Sequence, residues 1–234
     1  MESIAVLESR QHGQCLISYY WGEIKTIASE AKVDAYIVAT ENGFSPLGSN
    51  LRFLATELGV PEKEIARLAD WNRFDNPRVS LVVLPSIRES SYLRGLVLAP
   101  SETSECYRPF AARCFGRPYR DFYYNVTYES IAYASQSFGA RHLAISHLSW
   151  CNTFHEDIAT CNAEALAHYC DTSEKPVESF TFLSDTEIRL EHLAGLRRLN
   201  HESETGQHRP ISTEIERREG YDLVHLDLNF DSLQ

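Results

Sequence analysis

Between Val33 and Gly59 the chain reads VDAYIVATENGFSPLGSNLRFLATELG, and this succession leaves few folds open. The apolar run Ala35, Tyr36, Ile37, Val38 and Ala39 predicts a buried strand, being long enough for a strand and too short for a core helix. Turn chemistry at Thr40-Glu41-Asn42-Gly43 ends the run, and Pro46-Leu47-Gly48-Ser49-Asn50 leads into a helical pattern. A strand, a loop and a helix in this order place a crevice beyond the strand's carboxyl end. There a helix amino terminus offers unpaired N–H groups to an anion.

A chain of 234 residues accommodates one well-buried domain with an appended segment. The expected division is an α/β domain over residues 1–184, with a C-terminal helix and strand from 185–234 packing on the same domain. At 43% hydrophobic and 11% aromatic residues the composition is globular. A formal net charge of -11 argues against general nucleic-acid binding and against an anionic membrane surface, since phosphates are held by clustered Lys and Arg. MESIAVLESRQHGQ lacks a basic stretch followed by an apolar one, and no apolar run approaches spanning length. A soluble, cytoplasmic protein is therefore expected. In that setting the triplet Asn125-Val126-Thr127 carries no glycosylation meaning. The six cysteines, Cys15, Cys106, Cys114, Cys151, Cys161 and Cys170, include no CxxC pair and fit reduced core thiols.

Taken in order, Ser3–Leu7 and Cys15–Tyr20 read as strands joined across a polar turn. Glu23–Ala31 suits a short helix or an irregular connection. After the buried strand, Leu51, Leu54, Ala55 and Leu58 recur with helical spacing until Gly59. Pro61 opens a second amphipathic pattern through Ile65, Leu68 and Ala69. Val79–Leu84 and Tyr92–Ala99 read as strands, Ser101–Asp121 as a long loop, and Tyr124–Phe138 as a helix stopped by Gly139. His142–Ser146 is a short buried strand ending in the polar loop His147–Phe154, and Glu156–Tyr169 a helix with acidic residues in its first turn. Val177–Leu183 reads as a strand, Asp185–Leu199 as a helix and Tyr221–Leu228 as a last strand. Strands alternating with helices that can cover both faces predict a three-layer α/β/α sandwich around a mixed sheet.

Three segments, in this order, resemble a macro domain, the fold that binds ADP-ribose and related nucleotides. Gly22-Glu23-Ile24 after a strand is similar to the family's Gly-Asp-Ile. Val33-Asp34-Ala35 opens a strand ending at Asn42, like the family's Val-Asp-Ala-Ile-Val-Asn-Ala-Ala-Asn. Gly139-Ala140-Arg141-His142-Leu143-Ala144-Ile145 follows a helix as the family's Gly-x-x-x-Ile-Ala strand does. The resemblance spans residues 15–184 and implies an ADP-ribose-like ligand, with no cofactor and no metal. Glu23 with Ile24 would then meet adenine, the carboxylate accepting from the exocyclic amine. Asn42, with Gly43 beside it, would face the distal ribose and, in a hydrolytic member, orient the substrate. Leu47, Gly48 and Ser49 stand where the family has a glycine-rich run against the diphosphate. The second phosphate loop departs from the family, having His147, Ser149, Trp150, Cys151 and Asn152 where a Gly-x-Gly belongs.

Two other constellations bear on function. His147, Cys151, His155, Cys161, His168 and Cys170 crowd one region but lack the tight paired spacing of a zinc site. The stretch CYRPFAARCFGRPYRDFYY, residues 106–124, could clamp an anion through Arg108, Arg113, Arg117 and Arg120. Aromatic residues in such a loop more often anchor it to the core or form a homo-oligomer contact, and that reading is the favoured one. Three functions follow: a nucleotide-binding module with or without ADP-ribosyl hydrolysis; a macro-like fold whose ligand site is lost, acting as an interaction module; and a hydrolase of another kind using Cys151 or a histidine.

Overall fold

The computed structural model describes residues 2–9, 13–21, 24–30, 33–40, 49–65, 82–100, 117–146, 155–175, 177–184, 194, 211–218 and 221–228. The strands are β1 (Glu2–Ser9), β2 (Gly13–Trp21), β3 (Ala35–Thr40), β4 (Val82–Pro85), β5 (Gly95–Pro100), β6 (His142–Ser146), β7 (Ser179–Ser184), β8 (Ile211–Arg218) and β9 (Tyr221–Leu228). The helices are α1 (Ile24–Glu30), α2 (Ser49–Leu58), α3 (Arg117–Phe138) and α4 (His155–Thr172). Among the described residues the strands form one nine-stranded sheet in the order β4-β5-β3-β6-β7-β2-β1-β9-β8. Its middle five strands, β5, β3, β6, β7 and β2, are parallel, and β4 and β1 flank them antiparallel.

Apolar side chains fill both faces of the parallel block, as a sheet covered by helices on either side requires. One core gathers Ala35, Ile37, Leu143, Ile145, Phe180 and Phe182 with α3 and α4 residues such as Val126, Ile131, Cys161 and Leu166. The other gathers Tyr36, Val38, Leu96 and Leu98 with Ile24 and Ile27 of α1 and Leu54 and Leu58 of α2. The α/β/α layering read from the sequence is therefore the observed one. Across the block, Ile17, Phe180, Leu143, Ala35 and Gly95 stand in one row, and Tyr19, Phe182, Ile145, Ile37 and Val97 in the next. Large side chains at the β7 end of the first row give way to Ala35 and Gly95. A Cβ on Gly95 would overlap the ring of Phe138, which occupies that space.

Gly59 stops α2 in a left-handed turn, φ 71°. Its N–H bonds the Thr56 carbonyl at 3.1 Å and the Val60 N–H bonds that of Ala55 at 3.1 Å, the paired closure that satisfies orphan carbonyls at a helix end. Gly139, φ 63°, likewise ends α3 in a left-handed turn. That helix starts at Arg117, so the C-terminal part of the stretch expected to be loop is helical. An unequal spread of Arg and aromatic residues over 117–123 masks the period. Residues 101–116, the helix expected over 185–199 and the run 200–210 lie outside the described residues, residue 194 excepted. β8 was not anticipated, because ISTEIERR carries charge where a strand signal is apolar.

Asp34 fastens the starts of three strands. Its Oδ2 accepts the N–H of Arg141 at 2.8 Å and of His142 at 3.0 Å, and Oδ1 lies 3.8 Å from Arg94 Nε. Its backbone N–H bonds the His142 carbonyl at 2.7 Å, and its carbonyl takes the Arg94 N–H at 2.6 Å. Asp34→Ala is expected to destabilise the chain by about 2–3 kcal/mol, since two backbone N–H groups lose a charged acceptor. Urea unfolding measures this, and a change below about 0.5 kcal/mol would show the tie to be idle.

Tyr36 is fully buried in β3 between Ala144 and Leu96, and its hydroxyl has no hydrogen-bond partner among the described residues. Burial, with Tyr92 and Tyr20 adding, pushes its pKa well above the ordinary phenol range. Tyr92 is pushed up to about 12 by burial and by Glu57. Raised phenol pKa values stabilise the fold fully below the unfolded value of about 10, and that stabilisation is lost as pH climbs through the folded-state values. Tyr36→Phe deletes an orphan donor, so it is expected to be neutral or stabilising by up to about 1 kcal/mol at pH 7. It is also expected to shift base-induced unfolding to higher pH, which circular dichroism between about pH 9 and 12 would follow.

Candidate functional site

Because β2, β3 and β6 are parallel, their carboxyl ends share one edge of the sheet. β3 and β6 are immediate neighbours, paired Ala35 to Leu143 and Ile37 to Ile145, about 4.8 Å apart. Past Thr40 the chain goes to α2 on one face; past Ser146 it goes to α4 on the opposite face. Adjacent strands whose connections leave to opposite faces mark the position at which open α/β sheets hold ligands. The end of β2 lies two strands from β6 and three from β3, roughly 10 and 14 Å. A ligand touching the loops after β2 and β3 together must therefore be elongated.

Helices α1, α2 and α4 all begin at this edge, each following the end of a parallel strand. Neither α1 nor α2 carries an acidic residue in its first turn, so neither helix offsets the partial positive charge of its amino terminus from within that turn.

Of the residues singled out in the sequence, Ile24 is the first residue of α1 with its side chain buried at 5% exposure, so only its backbone faces the edge as a polar group. Ser49 is the first residue of α2. Glu23, Asn42, Gly43, Leu47, Gly48, His147, Ser149, Trp150, Cys151 and Asn152 lie outside the described residues. The strands that precede them end at one edge.

Other clusters lie away from it. Ser179 Oγ and His142 Nδ1 share a hydrogen bond of 2.9 Å, and His142 Nε2 is 3.4 Å from Glu178 Oε2. This has the members of a hydrolytic triad, but it sits at the strand starts, on the edge opposite the crevice. The N–H groups of Glu178 and Ser179, which an oxyanion would need, are both bound to the Arg141 carbonyl at 2.8 and 3.2 Å. It acts as a lock between β6 and β7. From the aromatic stretch, Tyr123 is buried in the α3–α4 core. Tyr124 stacks with Tyr128, ring centres 6.2 Å apart, and shares a hydrogen bond with His168 Nδ1. Burial first, then Glu164 and Tyr128, push the Tyr124 pKa up to about 12. These two tyrosines anchor α3 to the molecule. Of the crowded Cys and His residues, Cys161 and Cys170 are core thiols on α4. Among the described residues no group of three or more His, Cys, Asp or Glu is arranged to hold a metal. No described helix is long and apolar enough to cross a membrane.

A mixed sheet between two helical layers, with central connections that part to opposite faces, defines a three-layer α/β/α protein. Within that class the fold is similar to that of macro domains. An aspartate-to-alanine variant of the Oceanobacillus iheyensis macrodomain superposes with a TM-score of 0.53 and 11% identity, over 84% of this chain and 96% of that one. The Oceanobacillus iheyensis macrodomain with ADP gives 0.53 and 9%, over 82% and 93%. No family model and no curated protein matches the sequence.

Proposed function

We propose that this chain binds ADP-ribose or a closely related nucleotide in the crevice between the loops that follow β3 and β6. The observation that carries the reading is the parting of the connections beyond two adjacent parallel strands, with α2 starting beside the gap. In this reading Glu23 meets the adenine, the amides around Gly48 and Ser49 approach the diphosphate, and Asn42 meets the distal ribose. The reach of about 14 Å from β2 to β3 suits a nucleotide carrying a second sugar better than a mononucleoside. That a neighbour of the same fold is solved with ADP supports the ligand class. The dispersed cysteines, with no CxxC pair, support a reducing, cytoplasmic setting.

Titration calorimetry with ADP-ribose up to millimolar concentration tests this. Heat that saturates, together with a rise in Tm on adding ligand, is the expected result. No heat and no shift would overturn it. It would favour the second reading, a macro-like module whose pocket is lost, for which Trp150 in place of the family's glycine is the specific observation. Hydrolysis is a further property of the same crevice. Incubation with an ADP-ribosylated protein, followed by release of free ADP-ribose, decides it.

A further inference from the structure

Helix α3, which packs over β5 and β3, is much longer than the strands beneath it. Its last residue, Phe138, lays its ring over Gly95 at the start of β5, and the Gly139 carbonyl accepts from Arg94 Nη1 at 2.8 Å. The helix therefore ends level with the strand starts. Its 22 residues span about 33 Å, against about 20 Å for the six residues of β5. Even inclined across the sheet, its first turns stand past the carboxyl ends of the strands, at the edge that holds the β3–β6 crevice. Arg117 and Arg120 are placed in those turns, whereas Arg108 and Arg113 lie outside the described residues. Helical spacing puts Arg120 on the stripe of Thr127 and Ile131, and Arg117 on that of Tyr124 and Tyr128. Both stripes are turned to α4: Thr127 Oγ1 donates to Asn162 Oδ1 at 2.7 Å, and the rings of Tyr124 and Tyr128 meet that of His168. Carried past the strand ends, the side of α3 that bears both arginines borders the position of the crevice.

We propose that Arg117 and Arg120 dock an acidic polypeptide segment to which the nucleotide is bonded, so that the protein favours ADP-ribosylated acidic segments over neutral ones. The proposal rests on the nucleotide reading of the crevice. In the sheet, β5 is the neighbour of β3 on the side away from β6 and β2. With adenine toward the β2 end and the distal ribose at the β3 loop, the start of α3 stands beyond the distal ribose. Whatever is bonded to that sugar leaves the crevice on this side.

Charge and spacing fit that partner. Three positions apart on a helix, the Cβ atoms of Arg117 and Arg120 are about 5–6 Å from one another, and like-facing residues of an extended peptide recur at about 6.5 Å. No acidic residue in the first turn of α3 offsets the two arginines. A long polyanion such as a nucleic acid would meet the repulsion of a chain with net charge -11. At cellular ionic strength the Debye length is about 8 Å, so a short acidic segment feels the nearby arginines while the rest of that charge is screened.

The test titrates the full chain with two peptides that carry ADP-ribose through the same linkage at a central residue, one flanked by glutamates and the other by glutamines. Fluorescence anisotropy reads the binding at low salt, and free ADP-ribose is measured alongside. The glutamate peptide is expected to bind about 5- to 20-fold more tightly, a preference that falls below about twofold in about 0.5 M salt. The ratio of the two affinities should likewise approach one in the double variant Arg117→Gln/Arg120→Gln. Equal affinities for the two peptides in the parent, with free ADP-ribose bound, would overturn the proposal and leave the nucleotide reading standing. No binding of free ADP-ribose would overturn both. Tighter capture of a single-stranded oligonucleotide bearing the same group would overturn the choice of a polypeptide. Comparing the peptides on the unaltered chain decides the matter even where the double variant fails to fold.

Discussion

Asn42→Ala is expected to weaken ADP-ribose binding by about 10- to 100-fold while leaving Tm within about 2 °C of the parent. Under the proposed reading, the amide donates to one ribose hydroxyl and accepts from another. Each bond is worth about 0.5–1.5 kcal/mol net, so losing both costs about 1–3 kcal/mol. The small change in stability follows from position: Asn42 comes two residues after the last residue of β3, past the buried segment Ala35–Val38. Calorimetry on the variant measures the loss. Unchanged affinity, in a chain that binds the ligand, would move the distal sugar away from the β3 loop and require the crevice to be read in another orientation.

Phe180→Ala is expected to have the largest effect on stability, a loss of about 3–5 kcal/mol. For a chain of this size that corresponds to a fall in Tm of roughly 6–20 °C. Phe180 is fully buried between Ile17 on β2 and Leu143 on β6, and its ring meets that of Phe182 edge-on with centres 5.4 Å apart. Three strands and α4 surround the site, so collapse into the cavity is restricted and the full cavity penalty should be felt. Adding Phe182→Ala should cost less than the sum of the single losses, because the ring pair contributes about 0.5–1.5 kcal/mol that can be lost only once. Urea unfolding of the four proteins gives both quantities. A single-variant loss below about 1 kcal/mol would mean that Phe180 does not stand in the core row.

His142–Ser146 and Tyr221–Leu228 appear as strands with the boundaries their sequence implied, since a dense apolar run between polar residues marks its own ends. The glycine stops at Gly59 and Gly139 were equally plain, because few residues other than glycine take a positive φ cheaply. Less legible was Asp34. Its place in Val33-Asp34-Ala35 stands out in the sequence, but its role as acceptor for the amides of Arg141 and His142 depends on residues more than a hundred positions away. Tyr123 and Tyr124 share one aromatic stretch in the sequence, yet the first enters the core and the second a ring stack with Tyr128.

By itself, the sequence determined the kinds of element and their order. Periodicity, turn residues and glycine stops act over a few neighbouring residues, and their free energies are local. From these came the layered α/β/α class and a loop after each parallel strand with Asn42 or His147 near its beginning. Only the tertiary structure decided that β3 lies against β6 and that their connections part to opposite faces. Pairing Ala35 with Leu143 is a choice among all strands able to bury the same surface. That choice is made by the packing of α3 and α4 against one face and of α1 and α2 against the other, which no local pattern encodes.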